Sequence, residues 1–247
     1  MGRRKPARRH RSLSLINYLT RQYAPPPVSR DWTPAASVSW KRMYANDQVG
    51  DCIVAGGAHW EGVITGNGRG TPKQFTDDRI IDEYSTLFGY VRGDEKTDNG
   101  GEISDALNYW EAHGLIGGTK IASWVRVNPK DRVEIKAAIN EFGGLMAGMS
   151  LPDAWVKSED GLRDGGVWDV AGAPDENNGH CVVFAGFNDK LATLTWGMNI
   201  WTTFEAIEAY CDELYAMVSQ DWLDDARHLS PPGLDWTQLR ADIQAYS

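Results

Sequence analysis

The amino-acid sequence predicts an α+β fold, with helices dominating the first half of the chain and strands the second. Three observations carry that expectation. Apolar residues recur at helical spacing in several segments before residue 143, and glycine closes most of those segments. Dense apolar runs of strand length follow. The chain has 247 residues, 42% of them hydrophobic, with 11 Trp, 9 Tyr and 6 Phe. That is enough for one large domain or two small lobes around a cleft.

Residues 1–12, MGRRKPARRHRS, are polar and basic and carry no hydrophobic period, a composition that does not fold alone. Pro25, Pro26, Pro27 and Pro34 mark an extended lead-in. YANDQVGDC is a turn-rich loop, and from Cys52 the run CIVAGGAHWEGVI reads as a buried helix weakened by Gly56 and Gly57. Thr76 with Asp77 and Asp78 starts the next helix, TDDRIIDEYSTLFG, where acidic residues suit the first turn. After the loop VRGDEKTDNGG, the segment EISDALNYWEAHG sets Ile103, Ala106, Leu107 and Trp110 at helical spacing. WVRVNP is a short strand, DRVEIKAAINEFG an amphipathic helix, and LMAGMSL a buried strand. HCVVFAGF and LATLTWG are strands joined through NDK as a hairpin. Residues 203–216, TFEAIEAYCDELYA, read as a helix, and AMVSQDW as a strand followed by a turn. The expected organisation is a basic arm and Pro-rich lead-in over 1–40, a folded domain over 41–220, and a C-terminal extension over 221–247.

Charge is unevenly placed. Residues 1–42 carry a formal +9 and the remainder −18. The acidic body repels nucleic acid, so only the arm offers an attraction to nucleic acid or to an acidic surface. Two readings of residues 1–12 stay open: a solvated tail, and an arm that docks on an acidic protein surface such as a virion component. No apolar run has the length of a membrane span, and no apolar stretch follows the basic N-terminus. The expectation is therefore no membrane partner, no signal peptide, and a cytoplasmic or virion-associated protein. The cysteines are Cys52, Cys181 and Cys211, an odd and sparse set that fits a reducing compartment better than a disulfide framework. No Cys/His spacing resembles a zinc site, so no metal and no other cofactor is expected.

Among the reactive side chains, Cys52 follows a loop and opens a helix, where the positive end of the helix dipole favours a thiolate. His180, in NNGHCVVF, stands at a loop-to-strand junction, with a side chain suited to a general base or to the cation of an ion pair. Taken singly, each has an ordinary reading, a small buried hydrophobe and a strand-end histidine. His59, two helical turns beyond Cys52 and too far for direct proton transfer, reads as a core residue or as one that supports the site from behind. Cys181 reads as packed on the strand face opposite His180, and Cys211 as structural within a helix.

Five blocks, in order, change that balance. NDQVGDC with its helix, DNGGEISDALNYWEAHGL, INEFGGLMAGMSL, GHCVVFAGF and TWG together resemble the papain-like cysteine peptidases, over roughly residues 40 to 220. The GDC loop is more similar to divergent bacterial and phage members than to secreted cathepsins. The resemblance implies a two-lobe fold, with a helical N-terminal lobe and an antiparallel sheet in the C-terminal lobe. It also implies a thiolate–imidazolium pair of Cys52 and His180 in a cleft lined by Gly50, Asp51, Gly100, Gly101, Gly179 and Trp196. The oxyanion would be held by the Cys52 backbone N–H and a side-chain amide, from Asn46 or Gln48. The family's orienting asparagine falls at Leu194, which cannot accept a hydrogen bond; Thr195 and Asn188 are the candidates to replace it. The function implied is a thiol peptidase or amide hydrolase acting on a peptide or protein. Leu194, the shortened amide at Asn46 and the basic arm support an alternative, a weak or inactive papain-fold structural protein, such as a minor phage virion component docked through its arm.

Overall fold

The computed structural model describes residues 2–5, 13–14, 25–158, 161–223 and 229–233. Its elements run β1 (Leu13–Ser14), β2 (Arg30–Asp31), α1 (Ser37–Trp40), α2 (Cys52–Arg69), α3 (Asp77–Phe88), α4 (Ile103–His113), β3 (Ile121–Arg126), α5 (Arg132–Phe142) and β4 (Leu145–Ser150). They continue with α6 (Asp153–Val156), β5 (Val167–Trp168), β6 (Gly179–Phe187), β7 (Lys190–Thr195), β8 (Met198–Thr203), α7 (Phe204–Tyr210) and β9 (Cys211–Ser219). Four helices thus precede β3, and eight of the nine described strands build around the later part of the chain or pair with it.

Local chemistry sets the helix ends. Thr76 accepts a hydrogen bond from the Arg79 amide, Asp77 and Asp78 occupy the first turn of α3, and Gly89 ends it in the left-handed region. Asp131 caps α5 by accepting from the amides of Val133 and Glu134, and Gly143 ends that helix in the same left-handed way. Helix α2 is different. It is buried on all sides from Cys52 to Gly66, as expected of a helix that is apolar all round. Its glycines let it sit deep: a Cβ at Gly57 would stand 2.6 Å from the Trp110 ring.

The strands form one sheet in the order β1-β3-β9-β4-β6-β7-β8-β5, with β2 pairing beside β6. The path from β3 to β8 is antiparallel, and the pairs at its ends, β1–β3 and β5–β8, are parallel. Helix α2 packs against β6, and that contact carries the main core, where Ile53, Trp60, Ile64, Val183 and Phe184 are all fully buried. The core also takes in Trp32 and Trp40 from the Pro-rich stretch and Trp222 beyond β9. The Trp32 indole donates to the Ile139 carbonyl at 2.9 Å and meets Trp222 edge-on, ring centroids 5.1 Å apart. Among the described residues no helix is long and apolar enough to cross a membrane.

One segment departs from its sequence expectation. The helix expected over 203–216 stops at Tyr210, and Cys211–Ser219 is a strand paired with both β3 and β4. The segment fills the slot between two strands, and its ladder hydrogen bonds outweigh the helical spacing of its apolar residues. Cys211 therefore lies in a strand and not in an amphipathic helix. Strand β8 had no counterpart in the sequence reading, since MNIWTT alternates only weakly.

Candidate active site

Cys52 is the first residue of α2 and is 1% exposed. Burial pushes its thiol up to about 11; the backbone N–H of Cys181 opposes the rise, Asp51 adds to it, and the backbone N–H of Gly2 opposes it again. The thiol is neutral at pH 7 in this arrangement. The helix dipole favours the reverse shift, and desolvation outweighs it here.

Asp51, just before it, is also buried, and burial pushes its carboxyl up to about 8. One oxygen accepts from Asn46 Nδ2 at 2.9 Å, and the other has no partner among the described residues. The Asn46 amide is thereby tied to Asp51, while Gln48 is exposed on the same loop. Tyr44 and Ala45, with φ of 56° and 61°, turn the chain sharply into that loop.

His180 is the second residue of β6 and is 1% exposed. Its Nε2 lies 2.7 Å from Thr195 Oγ1, and its ring stacks on Trp196 with centroids 4.1 Å apart and planes 19° from parallel. Trp196 adopts a left-handed backbone (φ 49°) at the turn between β7 and β8. Nδ1 has no partner among the described residues. Burial pushes the imidazole down to about 3, so this ring too is neutral at pH 7. The register explains why Thr195 meets the histidine: Leu194 pairs with Val183 and is fully buried, and Thr195 is the next residue along β7. Asn188 lies at the other end of β6, in the hairpin turn, where its Oδ1 accepts from the Lys190 amide at 2.7 Å.

The remaining cysteines and His59 are packed. Cys181 is buried against α2, its sulfur 3.3 Å from where a Cβ at Gly56 would stand. Cys211 is buried with its thiol directed at the Glu213 carbonyl, 3.3 Å away. All three cysteines are free thiols. His59 Nε2 lies 3.0 Å from the Arg42 carbonyl, and burial pushes its imidazole down to about 4.

The expected cleft glycines gather around residues 2–5. The Gly2 carbonyl accepts from the Gly101 amide at 2.6 Å, and the Arg4 amide donates to the Gly101 carbonyl at 2.5 Å. The Arg3 amide donates to the Gly179 carbonyl at 3.3 Å, next to His180. Gly100 has φ +61°, and a Cβ there would collide with the Gly2 carbonyl. The Asp98 carboxylate holds the Gly50 amide at 3.0 Å and the Tyr84 hydroxyl at 2.7 Å, and that hydroxyl in turn accepts from the Gly100 amide at 2.9 Å. Residues 1 and 6–12, the rest of the expected docking arm, lie outside the described residues.

Sequence reasoning missed Arg3, Tyr84, Asp98 and Glu213. Arg3 was one basic residue among many in the arm, and Glu213 fell within the segment read as a helix. Among the described residues no cluster of His, Cys, Asp and Glu is placed to hold a metal ion.

No protein-family model and no curated protein sequence matches the chain. Solved structures do. Xylellain, a cysteine protease from Xylella fastidiosa, is 17% identical with a TM-score of 0.60, over 88% of this chain and 95% of that one. The cysteine protease Amb a 11, a ragweed pollen allergen, in its proform, is 15% identical with a TM-score of 0.60, over 85% of this chain and 70% of that one. Digestive procathepsin L 3 of Tenebrio molitor larval midgut is 14% identical with a TM-score of 0.56, over 81% of this chain and 72% of that one. The two-lobe α+β chain described here thus has the papain-like cysteine protease fold.

Proposed function

We propose that this chain is a thiol-dependent peptidase in which Cys52 is the nucleophile and His180 its proton carrier. The observation that carries the reading is the state of the His180 ring. Thr195 and Trp196 fix its orientation, Nδ1 alone is left without a partner among the described residues, and the amide of the next residue lies against the Cys52 thiol. A ring held in this way has one nitrogen available for proton exchange.

In the proposed reaction the Cys52 thiol gives its proton to His180 and its sulfur attacks the carbonyl carbon of a peptide bond. The carbonyl electron pair moves to oxygen, stabilised by the Cys52 backbone N–H and one N–H of the Asn46 amide. As the pair returns, the carbon–nitrogen bond breaks and the amine leaves with the proton from His180. Water, losing a proton to His180, then cleaves the thioester, releasing the acid and restoring the thiol. Thr195 takes the orienting place that Leu194 cannot fill. Both groups are neutral as packed, with the Gly2 amide against the thiol, and ion-pair formation needs solvent to reach the pair.

The test is cleavage of a denatured protein by the wild-type chain and by Arg3→Ala, with new termini read by mass spectrometry. In parallel, both are treated with a peptidyl chloromethyl ketone. Cleavage and a thioether at Cys52, both lost in Cys52→Ala and slowed at least a hundredfold in His180→Ala, are expected. Cleavage that survives Cys52→Ala, or the absence of both cleavage and adduct from the two active chains, overturns the proposal.

A further inference from the structure

The Arg3 side chain is 0% exposed and the Glu213 side chain 1%. The guanidinium donates to Glu213 Oε1 from Nε at 2.8 Å and from Nη2 at 2.6 Å. It also donates to Asp212, from Nη1 to Oδ2 at 3.2 Å and from Nη2 to Oδ1. The second oxygen of Glu213 accepts from the Tyr215 hydroxyl at 3.0 Å. Gly148, in the facing strand, leaves room for the pair: a Cβ there would stand 2.7 Å from Arg3 Nε and 2.5 Å from the Glu213 carboxylate. A buried ion pair is a poor source of stability, because desolvating both charges cancels most of their attraction. An acidic residue buried beside a glycine gap is better explained as a receptor for a planar, weakly hydrated cation that binds through a fork of N–H groups.

The segment that supplies the guanidinium is itself laid out like a bound peptide. Its backbone bonds to Gly101 on one side and to Gly179 on the other, and its Gly2 amide meets the Cys52 thiol. Among the described residues, Lys5 reaches Glu176 at 2.9 Å, in a pair exposed on both sides, and Asp212 at 3.7 Å. A cavity of about 190 Å³ lined by Lys5, Ser150, Glu176, Tyr210 and Asp212 opens beside it, with space for a neighbouring residue.

We propose that the pocket formed by Glu213, Asp212, Tyr215 and Gly148 is a binding site for an arginine side chain of a peptide, and that Arg3 fills it in the resting chain. The proposal rests on the reading of Cys52 and His180 as a peptidase pair, because the same backbone contacts place a bound peptide across both. It assigns a substrate class, peptides bearing arginine, and makes residues 2–5 a competitor of substrate for one pocket.

The experiment measures binding without turnover. The full chain carries Cys52→Ala together with Arg3→Ala and Arg4→Ala, so that no adjacent guanidinium refills the pocket. Its ligands are Gly-Arg-Gly-amide carrying fluorescein on its N-terminal amine and the same peptide with citrulline, which keeps the shape and loses the charge. Fluorescence anisotropy is expected to give at least tenfold tighter binding of the arginine peptide. Glu213→Gln in that background should bring the two peptides level. Gly148→Ala, which closes the gap beside Nε, should weaken the arginine peptide as well and serves if Glu213→Gln does not fold. Equal affinity for the two peptides, no binding of either, or a preference that survives whichever of these variants folds overturns the pocket. Since Cys52 is absent from this assay, loss of the peptidase reading would appear only in the cleavage test, and loss of the pocket only here.

Discussion

Replacing Asp51 by Asn should flatten the dependence of stability on pH. Asp51 is 1% exposed, and its carboxyl is pushed up from 3.8 to about 8, mainly by burial. Between pH 4 and pH 8 the unfolded chain has released this proton while the folded chain keeps it. Stability from this group is therefore full below about pH 4 and falls by about 1.4 kcal/mol per pH unit as pH rises, until the folded carboxyl also ionises near pH 8. Over the whole window the loss is on the order of 5 kcal/mol, a large fraction of the stability of an ordinary domain. Asparagine resembles the protonated acid: it can still accept from Asn46 Nδ2, and its own Nδ2 takes the place of the unpartnered oxygen. The assay is urea unfolding followed by tryptophan fluorescence at half-unit steps from pH 5 to pH 8. The wild type should lose about 1.4 kcal/mol per unit relative to Asp51→Asn, since all other titrating groups are common to both. The Cys52 thiol should also react faster with iodoacetamide in the variant above pH 8, because the nearby negative charge is gone. Parallel stability curves for the two proteins would refute the account of a buried, protonated carboxyl.

Four further outcomes follow from the same reasoning. Thr195→Val removes the hydroxyl at 2.7 Å from His180 Nε2 and leaves both ring nitrogens buried without partners; it should cost about 1–3 kcal/mol in urea unfolding, with Thr195→Ser close to wild type. Gly100→Ala sets a Cβ against the Gly2 carbonyl at φ +61°; iodoacetamide at pH 8 should label Cys52 at least severalfold faster by mass spectrometry, while the body loses only about 1–2 kcal/mol. Lys73→Met breaks the contact at 3.0 Å to Glu61, whose side chain is 0% exposed, and should cost about 3–5 kcal/mol in the same unfolding assay. Arg92→Met, at the exposed pairs with Asp78 and Asp82, should leave the urea midpoint close to that of the wild type.

The segments with strong local signals were legible in the sequence. Thr76 and Asp131 announce the starts of α3 and α5, and Gly89 and Gly143 their ends, because capping is decided by neighbouring residues. The apolar run HCVVFAGF and the NDK turn gave the β6–β7 hairpin for the same reason. The α+β class and the order of elements followed from these pieces. Residues 211–219 show the limit: their helical spacing is real, but a slot between β3 and β4 offered two ladders of hydrogen bonds, and no local pattern reports a slot.

At the site, residue chemistry singled out Cys52 and His180 as candidates, and the resemblance of the five sequence blocks to papain-like peptidases added the glycines and Trp196. Tertiary structure decided the rest. It brought Thr195 to the imidazole through the register of β7 on β6, left Asn188 in a distant turn, and tied Asn46 to Asp51. It also set the protonation states, because how far water is excluded from a thiol or an imidazole depends on everything packed around it. The contact of Arg3 with Glu213 joins residues far apart in the chain, and only folding brings those two charges into one pocket.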